Sequence, residues 1–137
     1  MGIDLAPLAI EKARKKAEAR GSAARFELGD AIHLKKPSKK FDTVTDCGLF
    51  HVFTDPERVL FERSLRSVTK RGGTYFMLCF SPKEPTNWGG PRRVSEEEIR
   101  EAFGRGWRVN YVREATIETT FHGKGGGHGL LSSITAR

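Results

Sequence analysis

The sequence predicts an α/β fold in which a mostly parallel sheet closes with an antiparallel strand pair. Three observations carry that expectation. Short strand-like runs alternate with amphipathic helical stretches, the order that builds parallel crossovers. The run Thr74–Phe80 is almost wholly apolar, as a strand covered on both faces requires. Two late strand-like segments flank a glycine-rich stretch, as a hairpin does. At 137 residues the chain is sized for a single domain, residues 1–137.

Gly2–Leu5 reads as a short strand stopped by Pro7. Pro7 suits the first turn of a helix running to about Arg20, where Gly21 ends it. Ile10, Ala13 and Ala17 share one face of that helix, while Lys12, Lys15, Lys16 and Arg20 take the other. Arg25–Gly29 is the next strand, with Phe26 and Leu28 alternating against Glu27. A basic loop over 31–40 carries Lys35, Lys36, Lys39 and Lys40. Phe41–Asp46 is a third strand, followed by a bend at Cys47–Gly48–Leu49–Phe50–His51. Asp55 is placed to cap a helix with Pro56 in its first turn, and Val59, Leu60, Leu65 and Val68 form its apolar side. Arg71–Gly72–Gly73 reads as a turn before Thr74–Phe80. An irregular loop over 81–93 leads to Ser95 and Glu98, a capping box that opens a helix to about Phe103. Trp107–Thr120 and Leu130–Thr135 are the late strands, joined through the glycines of 123–129.

Composition narrows the function classes. Hydrophobic residues make up 37%, and 15 glycines bring the apolar share to that of a globular chain, so generic disorder is excluded. No run approaches the roughly 18 apolar residues of a membrane helix, and MGIDLAPLAIEK lacks the pattern of a signal peptide. Cys47 and Cys79 cannot build a disulfide framework; their strand contexts predict buried free thiols in a reducing, cytoplasmic setting. The net charge of +7 divides evenly, +4 over residues 1–70 and +3 over 71–137, so it reads as a solvated basic surface rather than a nucleic-acid face. Cys47, Cys79, His51 and His128 show no compact zinc spacing, and no metal site is expected.

Asp4, Asp30 and Asp46 each close a predicted strand. With right-handed crossovers, such tips share one edge of the sheet, where ligands bind. A carboxylate there can accept hydrogen bonds from a ribose diol, a post that Asp4 fits; Asp30 can hold an adenine amino group with Ile32 along the ring. Taken singly, Asp4 reads more simply as a helix cap and Asp30 as a turn residue. His51 is a candidate proton acceptor, with an ordinary pKa of about 6.5, and equally a structural histidine. Arg92 and Arg93 can fork onto an anionic acceptor or stay solvated, and Trp88 shares their loop.

Taken in order, GIDLAPLAIEKAR, ARFELGDA, FDTVTDCGLFHVF and RGGTYFMLCFS resemble the class I S-adenosylmethionine-dependent methyltransferases. More narrowly, the chain is similar to small-molecule members akin to the thiopurine and thiol methyltransferases. The resemblance runs from the family's second strand to its last. It implies a Rossmann-like methyltransferase sheet and S-adenosylmethionine as cofactor. It places Asp4 at the ribose, Asp30 and Ala31 at the adenine, and Asp46, Cys47 and Gly48 beside the transferable methyl, with Leu5 and Ile32 also among the cofactor-binding residues. Phe50, His51, Trp88, Arg92 and Arg93 then face a small-molecule methyl acceptor, with His51 as the candidate catalytic base.

The family's first strand and glycine-rich loop have no counterpart here, because Met1 directly precedes Gly2–Ile3–Asp4. That unit is the middle strand between those of Asp4 and Asp46, so the resemblance implies a truncated sheet. Three remedies follow: direct pairing of strands 2–5 and 41–46, strand exchange or edge pairing in a homo-oligomer, or a separate fragment in the slot. The glycines of 123–129 are no substitute, since P-loop spacing is lacking. Two other readings stay open. One is a non-catalytic remnant serving as an oligomeric or interaction module. The other is RNA or DNA methylation, which rests on charge alone; Asp46–Cys47–Gly48–Leu49 stands where amino-directed DNA methyltransferases carry a Pro-Pro-aromatic motif.

Overall fold

The chain forms two sheets where the sequence predicts one. A computed structural model describes residues 1–34, 37, 39–87, 89–122 and 125–137. In it β1 (Gly2–Asp4) pairs in parallel with β2 (Phe26–Leu28). Phe26 lies across Gly2 so closely that a Cβ there would stand 2.7 Å from its ring. Helix α1 (Pro7–Ala19) connects the two strands, beginning on Pro7 and burying Ile10.

The second sheet has the order β3 (Phe41–Cys47), β4 (Thr69–Phe80), β6 (Gly127–Ala136), β5 (Trp107–Ile117). β3 and β4 are parallel, whereas β4–β6 and β6–β5 are antiparallel, so the sheet is mixed and closes with an antiparallel set. Direct pairing of strands 2–5 and 41–46 does not occur, because β1 and β3 belong to different sheets. The first unit is attached through a helix instead. Ala31–His33 forms a single 3-10 turn packed on helix α2 (Asp55–Val68), and the Leu34 N–H donates to Ser64 Oγ at 2.9 Å.

Several elements depart from the sequence expectation for local reasons. Helix α2 is capped by Thr54 rather than Asp55, and the Thr54 N–H donates to the Glu57 carboxylate at 2.8 Å. Its buried side is Arg58, Phe61, Ser64, Leu65 and Val68, while Val59 and Leu60 are exposed. Residues 58, 61, 65 and 68 share one helical stripe, and 59 and 60 fall off it. The Arg71–Gly72–Gly73 turn lies within β4, where residues 70–73 loop out between the pairs Phe41–Thr69 and Thr43–Thr74. Gly72 takes φ +79°, and a Cβ on Gly73 would stand 3.0 Å from three backbone carbonyls. β6 starts at Gly127 rather than Leu130, so Gly127–Gly129 belong to the strand; Gly123 and Lys124 lie outside the described residues, as do Lys35 and Lys36.

Helix α3 (Glu96–Ala102) opens with the reciprocal Ser95–Glu98 box predicted from sequence. Phe61 and Leu65 of α2, Ile99 of α3 and Phe103 just after it pack with Tyr75, Met77 and Cys79, all from one face of β4. On the other face Thr74, Phe76 and Leu78 are half-buried, so β4 is fully covered on one side only. Phe50 and Trp107 complete the core, Phe103 lying edge-on to the indole at 5.7 Å. Cys79 is buried as predicted, but Cys47 is exposed, because β3 is an edge strand and residue 47 alternates away from the core.

Candidate active site

Parallel strands bring their C-terminal tips to one edge, and the first unit puts two carboxylates there. The Gly29 N–H donates to the Asp4 carbonyl at 3.0 Å, which seats Asp30 beside Asp4 at the neighbouring tip. Asp4 is exposed, and one of its oxygens accepts the Ala6 N–H at 2.8 Å. Asp30 accepts the Ile32 N–H at 3.0 Å and lies 2.9 Å from His33 Nδ1. The His33 contact, then the Ile32 N–H, holds its carboxyl below the usual range, so it is ionised at neutral pH. Leu5 is exposed, Ala31 buried, and Ile32 half-buried against the core. Each carboxylate therefore has the cap or turn role weighed from sequence, and each keeps acceptor lone pairs for a ligand. This pair of acceptors, with side-chain-free Gly29 next to Asp30, suits the nucleoside end of S-adenosylmethionine.

At the β3 tip the arrangement differs. Asp46 turns inward: its oxygens accept the Leu49 N–H at 2.7 Å, the Phe50 N–H at 3.0 Å and the Tyr75 hydroxyl at 2.8 Å. Desolvation pushes the Asp46 carboxyl up, against these three donors. These contacts make Asp46 a staple for the bend that follows it. Cys47 is exposed, with its thiol pushed up by desolvation and by Asp46, so it stays protonated at neutral pH. Gly48 takes φ +82° and donates its N–H to the Leu78 carbonyl at 2.9 Å.

The residues expected at the acceptor separate. Phe50 is fully buried, between Phe61, Phe103 and the Arg58 guanidinium, which lies 4.5 Å from its ring centroid; it is a core residue and not a surface for an acceptor. His51 is 4% exposed and accepts the Phe80 N–H on Nδ1 at 3.1 Å. Burial, the larger cause, and the charges of Arg93 and Arg58 lower its pKa, so the imidazole is neutral at pH 7. Arg92 pairs with Asp55 at 2.6 Å and with Glu98, which also holds Arg58 at 3.0 Å. Arg93 donates to the Pro91 and Thr86 carbonyls and lies over the Phe80 ring. Trp88 is outside the described residues. A groove of about 730 Å³ opens between residues 51–56 and 89–92, walled by Val52, Phe53, Pro56 and Pro91 with Arg92 at its edge.

Two groups at this edge have no clear signal in the sequence. Tyr75 lies inside an apolar strand run, and its partner Asp46 is 29 positions away. Glu84 is buried, accepting the Thr86 hydroxyl at 2.7 Å and the His128 N–H at 2.6 Å, with His122 Nε2 at 3.3 Å. The Thr86 hydroxyl is the largest of the contacts that bring its carboxyl down to about 2. Only the folded chain assembles these partners, by tying the loop after β4 to the start of β6. Among the described residues no group of three His, Cys, Asp or Glu side chains suits a metal ion, and no helix is long and apolar enough to cross a membrane.

Comparison with known proteins bears on the same edge. A family profile described as a methyltransferase domain matches residues 1–73. The chain is 30% identical over 119 residues to the 2-heptyl-1-hydroxyquinolin-4(1H)-one methyltransferase of Mycobacteroides abscessus, covering 85% of this chain and 52% of that protein. It is 38% identical over 104 residues to the demethylmenaquinone methyltransferase of Thermus thermophilus, covering 76% and 46%. A structure solved in work on the conversion of a disulfide bond into a thioacetal group during echinomycin biosynthesis superposes with a TM-score of 0.84 at 26% identity, covering 98% of this chain and 65% of that one. The chain spans about half the length of the curated relatives it matches. Carboxylates at adjacent strand tips, a mixed sheet with an antiparallel close, and a profile match across the first half of the sequence agree: the chain belongs to the class I S-adenosylmethionine-dependent methyltransferase family.

Proposed function

We propose that the chain acts in methyl transfer from S-adenosylmethionine to a small molecule, in an assembly that completes its cofactor pocket. One observation carries this reading: Asp4 and Asp30 sit at neighbouring parallel tips with lone pairs to spare. In it Asp4 holds the ribose hydroxyls and Asp30 the adenine amino group, with Leu5, Ala31 and Ile32 along the nucleoside. Cys47 and Gly48 form the far wall. The cofactor, when bound, supplies an electrophilic sulfonium methyl. Such a transfer depends on an aligned nucleophile in a dry site. The groove over 51–56 and 89–92 is the acceptor side, and its apolar wall favours a flat aromatic hydroxyl compound. Relatives named for a hydroxyquinolone and for demethylmenaquinone support that choice over thiols and thiopurines.

The edges of β1 and β3 that pair with no strand among the described residues support completion of the site by a second copy through edge pairing, since exposed edges recruit strands. They support equally an interaction module without catalysis, and a binding experiment separates the two. Titration calorimetry with S-adenosylhomocysteine should give saturable heat that Asp4→Asn and Asp30→Asn weaken; no heat at millimolar ligand leaves the interaction module. Light scattering should give a dimer, and a 15.3 kDa particle that binds the nucleoside sinks the assembly part. Free thiols at Cys47 and Cys79 favour a cytoplasmic setting. Nucleic acid is disfavoured as the acceptor, and salt-sensitive oligonucleotide binding would reopen it.

A further inference from the structure

We propose that His51 is a positioning residue: its buried imidazole locks the 47–50 bend to the end of β4 while its backbone carbonyl holds the 89–92 loop, and together they set the acceptor side of the site. Its consequence for catalysis rests on the methyl-transfer reading; the lock itself does not.

Three contacts from one residue carry it. Nδ1 accepts the Phe80 N–H at 3.1 Å, at the end of β4. Nε2 faces the backbone of Gly48, close enough that a Cβ there would stand 3.4 Å from it. The His51 carbonyl accepts the Arg92 N–H at 3.2 Å, on the loop that walls the groove. The ring also lies flat on Phe80, centroids 5.2 Å apart and planes within 6°. A nitrogen that accepts from a backbone N–H carries no proton, so the neutral ring has its proton on Nε2, directed at Gly48. Space-filling alone would need the stacking but neither ring nitrogen. With Nδ1 committed, the ring orients the site rather than taking the acceptor's proton.

The lock is sensitive to protonation, since a proton on Nδ1 would set two N–H groups against each other. The charged and titratable groups around it come from every neighbouring element. Asp46 lies on β3, Arg58 and Asp55 on α2, Arg92 and Arg93 on the loop, and the tilted His122 ring lies 5.7 Å from that of Phe80. Burial and the two arginines Arg93 and Arg58 oppose protonation, which keeps the lock closed at neutral pH.

Nitrogen NMR of the full chain at pH 7 should show neutral His51 with the proton on Nε2. In His51→Phe, which keeps the stacking and the backbone carbonyl that holds Arg92, amide exchange at Phe80 should rise about tenfold, the worth of one lost hydrogen bond, while β5–β6 amides keep their protection. His51→Asn, whose oxygen can stand where Nδ1 was, should restore most of the protection at Phe80. Lowering the pH below about 6.5 should loosen the Phe80 amide first in the native chain. An Nδ1–H tautomer, unchanged exchange at Phe80 in His51→Phe, or an equal rise across the whole core would each overturn the lock. None of these readouts needs cofactor or turnover, so loss of the methyl-transfer reading leaves them standing and the two fail separately.

Discussion

The two sheets differ in what they are made to do. The four-stranded unit carries nearly the whole core, with Phe50, Tyr75, Phe103 and Trp107 at most 2% exposed. The β1–β2 unit contributes little to it: Ile10 and Ala31 are buried, but Met1, Leu5, Leu8 and Leu28 stand at 59–67% exposure. Yet the thin unit carries the two carboxylates free to meet a ligand, whereas the robust unit turns its own tip carboxylate, Asp46, inward to hold a bend. On the proposed reading the nucleoside end of the site lies away from the main core, so the two can be attacked separately.

The largest effect should come from the robust side. Trp107→Ala should cost about 3–5 kcal/mol in urea unfolding, whereas Leu28→Ala, on the thin side, should stay within about 0.5 kcal/mol. Equal costs would mean the two units share one core. Next in size, Glu98→Ala leaves Arg58 buried with its main ionic partner gone. A loss of about 3 kcal/mol is expected, with recovery in the Arg58→Met/Glu98→Ala double variant, which removes the stranded charge.

A pH series sharpens the comparison further. His51 resists protonation in the fold, so the unfolded chain binds the extra proton, and stability should fall as pH drops below about 6.5. Glu84 works lower: its carboxyl titrates near 2 in the fold against an ordinary 4.5, so its contribution is full above 4.5 and disappears on the way down to about 2. Thermal melts should show both steps, and Glu84→Gln should erase the second. A small stability effect also belongs to Asp4→Asn. Its melt should shift by less than about 1 kcal/mol, since one exposed turn contact changes, while nucleoside affinity falls about tenfold. A large loss of stability there would place Asp4 in the scaffold rather than the site.

How much of this was legible beforehand varies by element. Pro7, the Ser95–Glu98 box and the apolar run ending at Phe80 announce themselves, because each acts over a few residues. The face of α2 does not. Val59 and Leu60 look like core residues until Arg58, stacked on Phe50 and paired with Glu98 forty positions away, takes the buried side. Phe50 and His51, adjacent in a bend that reads as a ligand loop, prove to be core and lock for the same reason: their partners arrive from other elements.

By itself the sequence determined the succession of strands and helices, the two acidic tips of the first unit, and the resemblance that named the family and its cofactor. Those rest on local periodicity, turn chemistry and residue order, which any stretch of chain carries within itself. Tertiary structure alone decided that the sheet divides between β1 and β3, that Asp46 faces Tyr75, and that Arg92 answers to Asp55 and Glu98. Each of these depends on which distant backbone or charge comes within hydrogen-bonding reach, and spacing along a chain does not encode that.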